Sequence, residues 1–275
     1  MERLQAAMEK ARRNRNAARP KNQVEKTAEP ATIKQSAEPS LFSDLPEIKI
    51  SGLTARNHRI TTQQNSKASA PYDMLRSRML RLMKEHGWRS AAITSPNQGC
   101  GKTTVTVNLA LSLARQKDLR ILVLDLDLRR PAMQKILGHK PSHNFWEVLT
   151  GEVSAKDQLM RFGENVAFGL NNKAIRNPSE LLQSRRTQAA LDTLLNQYNP
   201  DIVLIDMPPM LASDDNVGFL PNVDCGLLVA AADNTTMSQL DICEKELSEL
   251  TNVLGVVLNK TRYSDQSVGY DYDYY

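Results

Sequence analysis

Ile93-Thr94-Ser95-Pro96-Asn97-Gln98-Gly99-Cys100-Gly101-Lys102-Thr103-Thr104 decides how the rest of the chain is read. A short apolar run, Ala91 to Thr94, leads into it, and a stretch with apolar positions at Val105, Leu109, Leu111 and Leu113 leads out. A strand, a glycine-rich turn and a helix, in that order, are what a phosphate-binding loop requires. Gly99 and Gly101 let backbone amides approach phosphate oxygens with no Cβ in the way, and the helix N-terminus adds partial positive charge. Lys102 is the candidate for the β- and γ-phosphates of ATP and Thr103 for Mg²⁺, while Cys100 and Thr104 complete the nucleotide-contacting loop. The generic pattern opens with glycine where this chain has Pro96.

Working outward, two more apolar runs end in acids: Ile121-Leu122-Val123-Leu124-Asp125-Leu126-Asp127-Leu128-Arg129 and Ile202-Val203-Leu204-Ile205-Asp206-Met207-Pro208-Pro209. Ligands of an open parallel sheet bind beyond the carboxyl ends of its strands, so Asp125, Asp127 and Asp206 are expected to converge on the loop as hard oxygen ligands near Mg²⁺. Leu227 to Ala230 and Val253 to Leu258 add further apolar runs, separated by helical segments. This pattern predicts an α/β fold of the P-loop NTPase type, a mostly parallel sheet with helices on both faces. Tyr72, Leu75, Met79, Leu82 and Met83 predict a docking helix that Gly87 ends. In Gly255-Val256-Val257-Leu258-Asn259-Lys260, Asn259 is a candidate for contacting adenine, and a strand-ending turn is the other reading.

Three regions are expected. Residues 1–67 read as a mostly disordered basic arm and linker, polar and broken by Pro20, Pro30, Pro39 and Pro46. Residues 68–262 read as the P-loop domain and 263–275 as a tyrosine-rich tail. Lys and Arg total 35 against 31 for Asp and Glu, a net charge of +4 that gives no reason to expect nucleic acid. Three cysteines without nearby histidine pairs fit a reducing compartment, not a zinc site. No apolar run is long enough to span a bilayer, which points to a cytoplasmic chain. Cys100, at the start of a helix, is expected to have an activated thiol whose alkylation blocks ATP.

The phosphate loop, the Asp-x-Asp-x-Arg ending at Arg129, the Asp206 strand and the tail Ser267-Val268-Gly269-Tyr270-Asp271-Tyr272-Asp273-Tyr274-Tyr275 together resemble the bacterial tyrosine kinases of capsule and exopolysaccharide synthesis, the BY-kinases, of the CpsD/CapB-like kind. The resemblance runs from about Pro71 to the last residue. It implies an ATP-dependent protein-tyrosine autokinase that phosphorylates Tyr270, Tyr272, Tyr274 and Tyr275 of a neighbouring copy and thereby regulates polysaccharide synthesis and export. It also implies that Lys102 and Thr103 hold phosphate and Mg²⁺, and that Asp206 supports the metal through water. Asp125 and Asp127 bind metal or deprotonate the attacking tyrosine, with Asp125 the expected base. The implied partners are a second copy, a separate membrane-spanning chain-length regulator that activates the kinase and recruits it to the inner face of the membrane, and a tyrosine phosphatase. The family's Glu-x-x-Arg-x-x-Arg docking motif survives only at its last position, Arg76. Two alternatives share the architecture: a MinD- or ParA-type ATPase switch, whose signature lysine is replaced here by Asn97, and a nucleotide-binding export regulator that transfers no phosphate.

Overall fold

A computed structural model describes residues 42–61 and 67–261. The first forty-one residues and the whole tyrosine tail lie outside the described residues. The runs expected as strands form β1 (Ser90–Thr94), β2 (Ile121–Asp125), β5 (Ile202–Asp206), β6 (Cys225–Ala231) and β7 (Asn252–Asn259). Two others, β3 (Met160–Phe162) and β4 (Val166–Gly169), complete a seven-stranded sheet ordered β3-β4-β2-β5-β1-β6-β7. All pairings are parallel except β3 with β4. At three and four residues, β3 and β4 are too short to show a repeating pattern in sequence.

The unbroken apolar strands are explained by burial on both faces. Ile121, Val123, Ile202 and Leu204 pack into one core layer, whereas Leu122, Leu124, Val203 and Ile205 pack into the other. The α-helices among the described residues are α1 (Gly52–Asn57), α2 (Ala70–His86), α3 (Lys102–Leu113), α4 (Met133–Leu137), α5 (Phe145–Leu149), α6 (Ala155–Gln158), α7 (Pro178–Leu182), α8 (Arg185–Tyr198), α9 (Asp215–Phe219) and α10 (Met237–Leu250). Helices α2 and α3 serve the first layer, through Met79 and Met83 and through Val105 and Leu109. Helices α8 and α10 serve the second, through Leu191, Leu194 and Tyr198 and through Cys243 and Leu247. Gly87 ends α2 in the left-handed conformation, its amide bonded to Met83 O. Of the docking motif, Arg76 turns inward: its Nη1 donates to Ser112 O at 2.9 Å and to Asp73 Oδ1 at 3.2 Å.

The ordered domain starts well before the expected boundary at residue 67. Phe42, Leu45, Ile48 and Ile60 are all buried, the first two in one core layer and the last two in the other. The Ile48 amide donates to Arg161 O at 2.7 Å and the Arg161 amide to Pro46 O at 2.8 Å, so this segment covers the outer edge of β3. Polar residues spaced between those few apolar anchors gave the stretch its linker-like composition.

Candidate active site

β5 lies between β1 and β2, with Asp206 in register with Ile93 on one side and with Asp125 on the other. The topology therefore brings the acidic strand ends to the loop that follows β1. Gly99 and Gly101 adopt φ of +78° and +92°, the left-handed region that favours glycine. Any Cβ at Gly101 would lie 2.4 Å from Asn259 Nδ2, so this position excludes side chains on two grounds.

Lys102 is the centre of the site. Its Nζ lies 2.7 Å from Asp127 Oδ2 and 3.5 Å from Asp206 Oδ1. Burial works against the Lys102 charge, but Asp206, Asp127 and Asp125 outweigh it and raise its pKa. Burial raises the Asp125 carboxyl well above its ordinary value, helped by Asp206 and Asp127, with Lys102 and the Met133 amide opposing. Burial likewise raises Asp206, although Lys102 and the Thr103 hydroxyl pull the other way. Three carboxylates face one ammonium, and Asp125 Oδ1 and Asp206 Oδ2 are buried with no hydrogen-bond partner. Two orphaned acceptors, one of them on Asp206 next to the Thr103 hydroxyl, fit a hard divalent cation. Among the described residues no three acids, histidines or cysteines form a metal cage. Mg²⁺ needs none, because it keeps waters and takes phosphate oxygens.

A cavity of about 710 Å³ opens over the loop, lined by Gly99, Gly101, Lys102, Thr103, Thr104 and Asp127 among others. Asp125 and Asp206 are fully buried and do not reach it. Of Asp125, which ends β2, and Asp127, which follows it, only Asp127 lines the space a tyrosine hydroxyl would enter. A linked prediction concerns stability. Because the folded chain holds the Asp125 proton above the ordinary value of 3.8, the stability tied to that proton is complete below pH 3.8 and is lost as pH rises through the folded pKa. Asp125→Asn removes that loss. It is expected to raise Tm at pH 7.5 by at least about 3 °C, the shift that roughly 1 kcal/mol gives a domain of this size, with the gain shrinking towards pH 4. A lower Tm at pH 7.5, measured by circular dichroism, would contradict this.

Cys100 departs from expectation. The residue is 1% exposed, packs in the core, and its thiol lies 3.7 Å from Thr235 Oγ1, so the thiol does not face the cavity. The expected inhibition by alkylation is replaced by its opposite: iodoacetamide should leave nucleotide binding intact until the domain is unfolded. Mass spectrometry that finds native Cys100 modified as fast as a free thiol would contradict the burial. Asn259 donates from Nδ2 to Cys100 O at 2.8 Å and thereby braces the loop.

Thr106 and Asn171, which the sequence did not single out, support the site, and Arg129 of the quoted run braces it. Thr106 Oγ1 donates to Lys102 O at 3.0 Å and approaches Asp206 Oδ1 at 3.5 Å, a position one turn along the helix that the loop motif could have indicated. Asn171 donates to Asp125 O at 2.7 Å. Arg129, the end of the Asp-x-Asp-x-Arg run, grips Asp215 with two bonds of 2.7 and 3.0 Å, joining the segment after β2 to α9.

Comparison with known proteins now adds to this geometry. The AAA domain family matches residues 89–220. EpsB of Ralstonia solanacearum is 30% identical over 201 residues, 71% of this chain and 26% of its own length. Tyrosine-protein kinase etk of Escherichia coli K12 is 31% identical over 169 residues, 61% of this chain and 23% of its own. The solved kinase domain of Escherichia coli tyrosine kinase ETK superposes with a TM-score of 0.66 at 28% identity, covering 82% of this chain and 86% of that one. This domain is related to the bacterial tyrosine kinases. The cell division ATPase MinD of Pyrococcus furiosus is also similar, with a TM-score of 0.53 at 25% identity over 64% of this chain and 74% of that one. This BY-kinase-like chain spans about a quarter of the length of the curated relatives it matches.

Proposed function

We propose that the chain binds Mg-ATP in this cavity and transfers the γ-phosphoryl group to protein tyrosine, its own Tyr270, Tyr272, Tyr274 and Tyr275 being acceptors. The observation that carries the reading is Lys102 held between Asp127 and Asp206 at the mouth of the loop, beside two orphaned carboxylate oxygens. Phosphoryl transfer needs little covalent help from a protein, so positioning and charge supply most of the acceleration. Loop amides and Lys102 hold the phosphates. Thr103 would hold Mg²⁺ with Asp206 supporting it through water, and the ion when bound offsets charge on the phosphate oxygens. As Lys102 turns to phosphate it releases Asp127, which then accepts the tyrosine proton; with a phenol pKa near 10, that removal favours attack.

β7 ends at Asn259 beside the phosphate loop. Lys260 to Tyr275 is at most about 50 Å long when fully extended, a length greater than the distance across such a cavity. Asn97 in place of the signature lysine, together with the acidic tyrosine cluster, supports transfer to tyrosine over a MinD- or ParA-type switch. No helix among the described residues is long and apolar enough to cross a membrane. A separate membrane regulator as activator, recruitment to the inner membrane face, a phosphatase and a role in polysaccharide export complete the proposal.

Transfer between copies is tested by mixing a Lys102→Met chain, which keeps its tail, with a chain whose four tail tyrosines are Phe. Label from ATP should appear on the Lys102→Met chain. Label absent from that mixture but present in wild type would mean that each copy phosphorylates itself.

A further inference from the structure

The segment before α2 was read from sequence as linker, yet it reaches the active-site cavity. Asn57, His58 and Arg59 line the cavity together with Arg130, which follows β2, and Lys260, which follows β7. Arg59, Arg130 and Lys260 are exposed, unlike Lys102 in the floor. No carboxylate pairs with any of these three among the described residues.

Arg59 is also held in place. Its backbone sits at φ +55°, uncommon for a residue with a side chain. Buried Asn108 of α3 fixes it: Nδ2 donates to Arg59 O at 3.1 Å and to Thr104 O at 3.0 Å, while Oδ1 accepts from the Thr61 amide at 2.9 Å. One carboxamide thus ties Arg59 to the phosphate loop itself. Arg130 Nη1 donates to Gln98 Oε1 of the loop in the same way. Arg59 is thus anchored through its backbone and Arg130 through its side chain at the edge of the cavity.

Resting on the tyrosine-transfer reading, we propose that Arg59, Arg130 and Lys260 form the acceptor-recognition rim and select tyrosines flanked by acidic residues. The chain's own Tyr270-Asp271-Tyr272-Asp273-Tyr274-Tyr275 has that chemistry, with Asp271 and Asp273 separating its first three tyrosines. Each exposed pair contributes little alone, but several around one entrance add up and give salt-sensitive selection. The residues named here bind the acceptor and carry no chemical step.

The test uses the full chain with Mg²⁺ and a non-hydrolysable ATP analogue. Fluorescence anisotropy follows a labelled peptide of sequence Val-Gly-Tyr-Asp-Tyr-Asp-Tyr-Tyr and its counterpart with both Asp changed to Asn. Wild type should prefer the acidic peptide by about tenfold at low salt, the sum of a few weak exposed pairs. Arg59→Asn combined with Lys260→Gln should bring that preference close to one; Asn tolerates the left-handed backbone, so the segment stays folded. The affinity of the analogue should stay nearly constant in the variant. An unchanged peptide preference, or an equal loss of analogue affinity, would assign these cations to the nucleotide and overturn the proposal. The acidic preference persisting in a chain that never yields phosphotyrosine would uphold the rim and sink the transfer reading instead.

Discussion

Replacing Lys102 with Met is expected to lower tyrosine phosphorylation at least about a thousandfold, equivalent to roughly 4 kcal/mol of barrier. A single preorganised donor in a water-poor site can account for about that much, and Lys102 has only 10% of its side chain exposed. Met keeps an unbranched stem, so the loop backbone is undisturbed. The fold should survive the loss of the ammonium, because Asp125 and Asp206 are already raised towards protonation by burial and can shed charge by taking up protons. Radiolabel incorporation and thermal melting of the same preparation check both halves. Phosphotyrosine at wild-type levels in this variant would remove Lys102 from the mechanism.

The second large effect separates Asp125, which ends β2, from Asp127, which follows it. Asp127→Asn should slow transfer about a hundredfold, the low end for losing a general base, with little change in KM for ATP. Asp125→Asn should slow it only about tenfold, or roughly 1.4 kcal/mol, because Asp125 acts through the charge and metal around it from a fully buried position. The order of the two losses is the diagnostic. Single-turnover rates in which Asp125→Asn is the slower variant would return the base role to Asp125 and contradict the assignment made from the cavity walls.

The parts of this site that were legible in the sequence share a physical reason. Lys102, Thr103 and the glycines form a local motif, and an acid at the end of an apolar run can point to only one end of a parallel sheet. Asp206 is therefore found where expected, although its contact with Lys102 spans a hundred positions of chain. What stayed hidden depends on tertiary packing. The direction of the Cys100 thiol follows from two left-handed glycines flanking it, which turn the side chain into the core. Phe42, Leu45 and Ile48 are too sparse for a periodic signal and gain meaning only against the edge of β3. Arg59 reaches the cavity because Asn108, forty-nine positions away, holds its carbonyl.

The central claim is that this cavity moves phosphate from ATP to the tail. It is tested most directly by incubating the purified chain with Mg²⁺ and γ-labelled ATP and mapping the label by mass spectrometry. The account predicts label on Tyr270, Tyr272, Tyr274 and Tyr275, and none with Lys102→Met. Hydrolysis of ATP with no label on any tyrosine would contradict it.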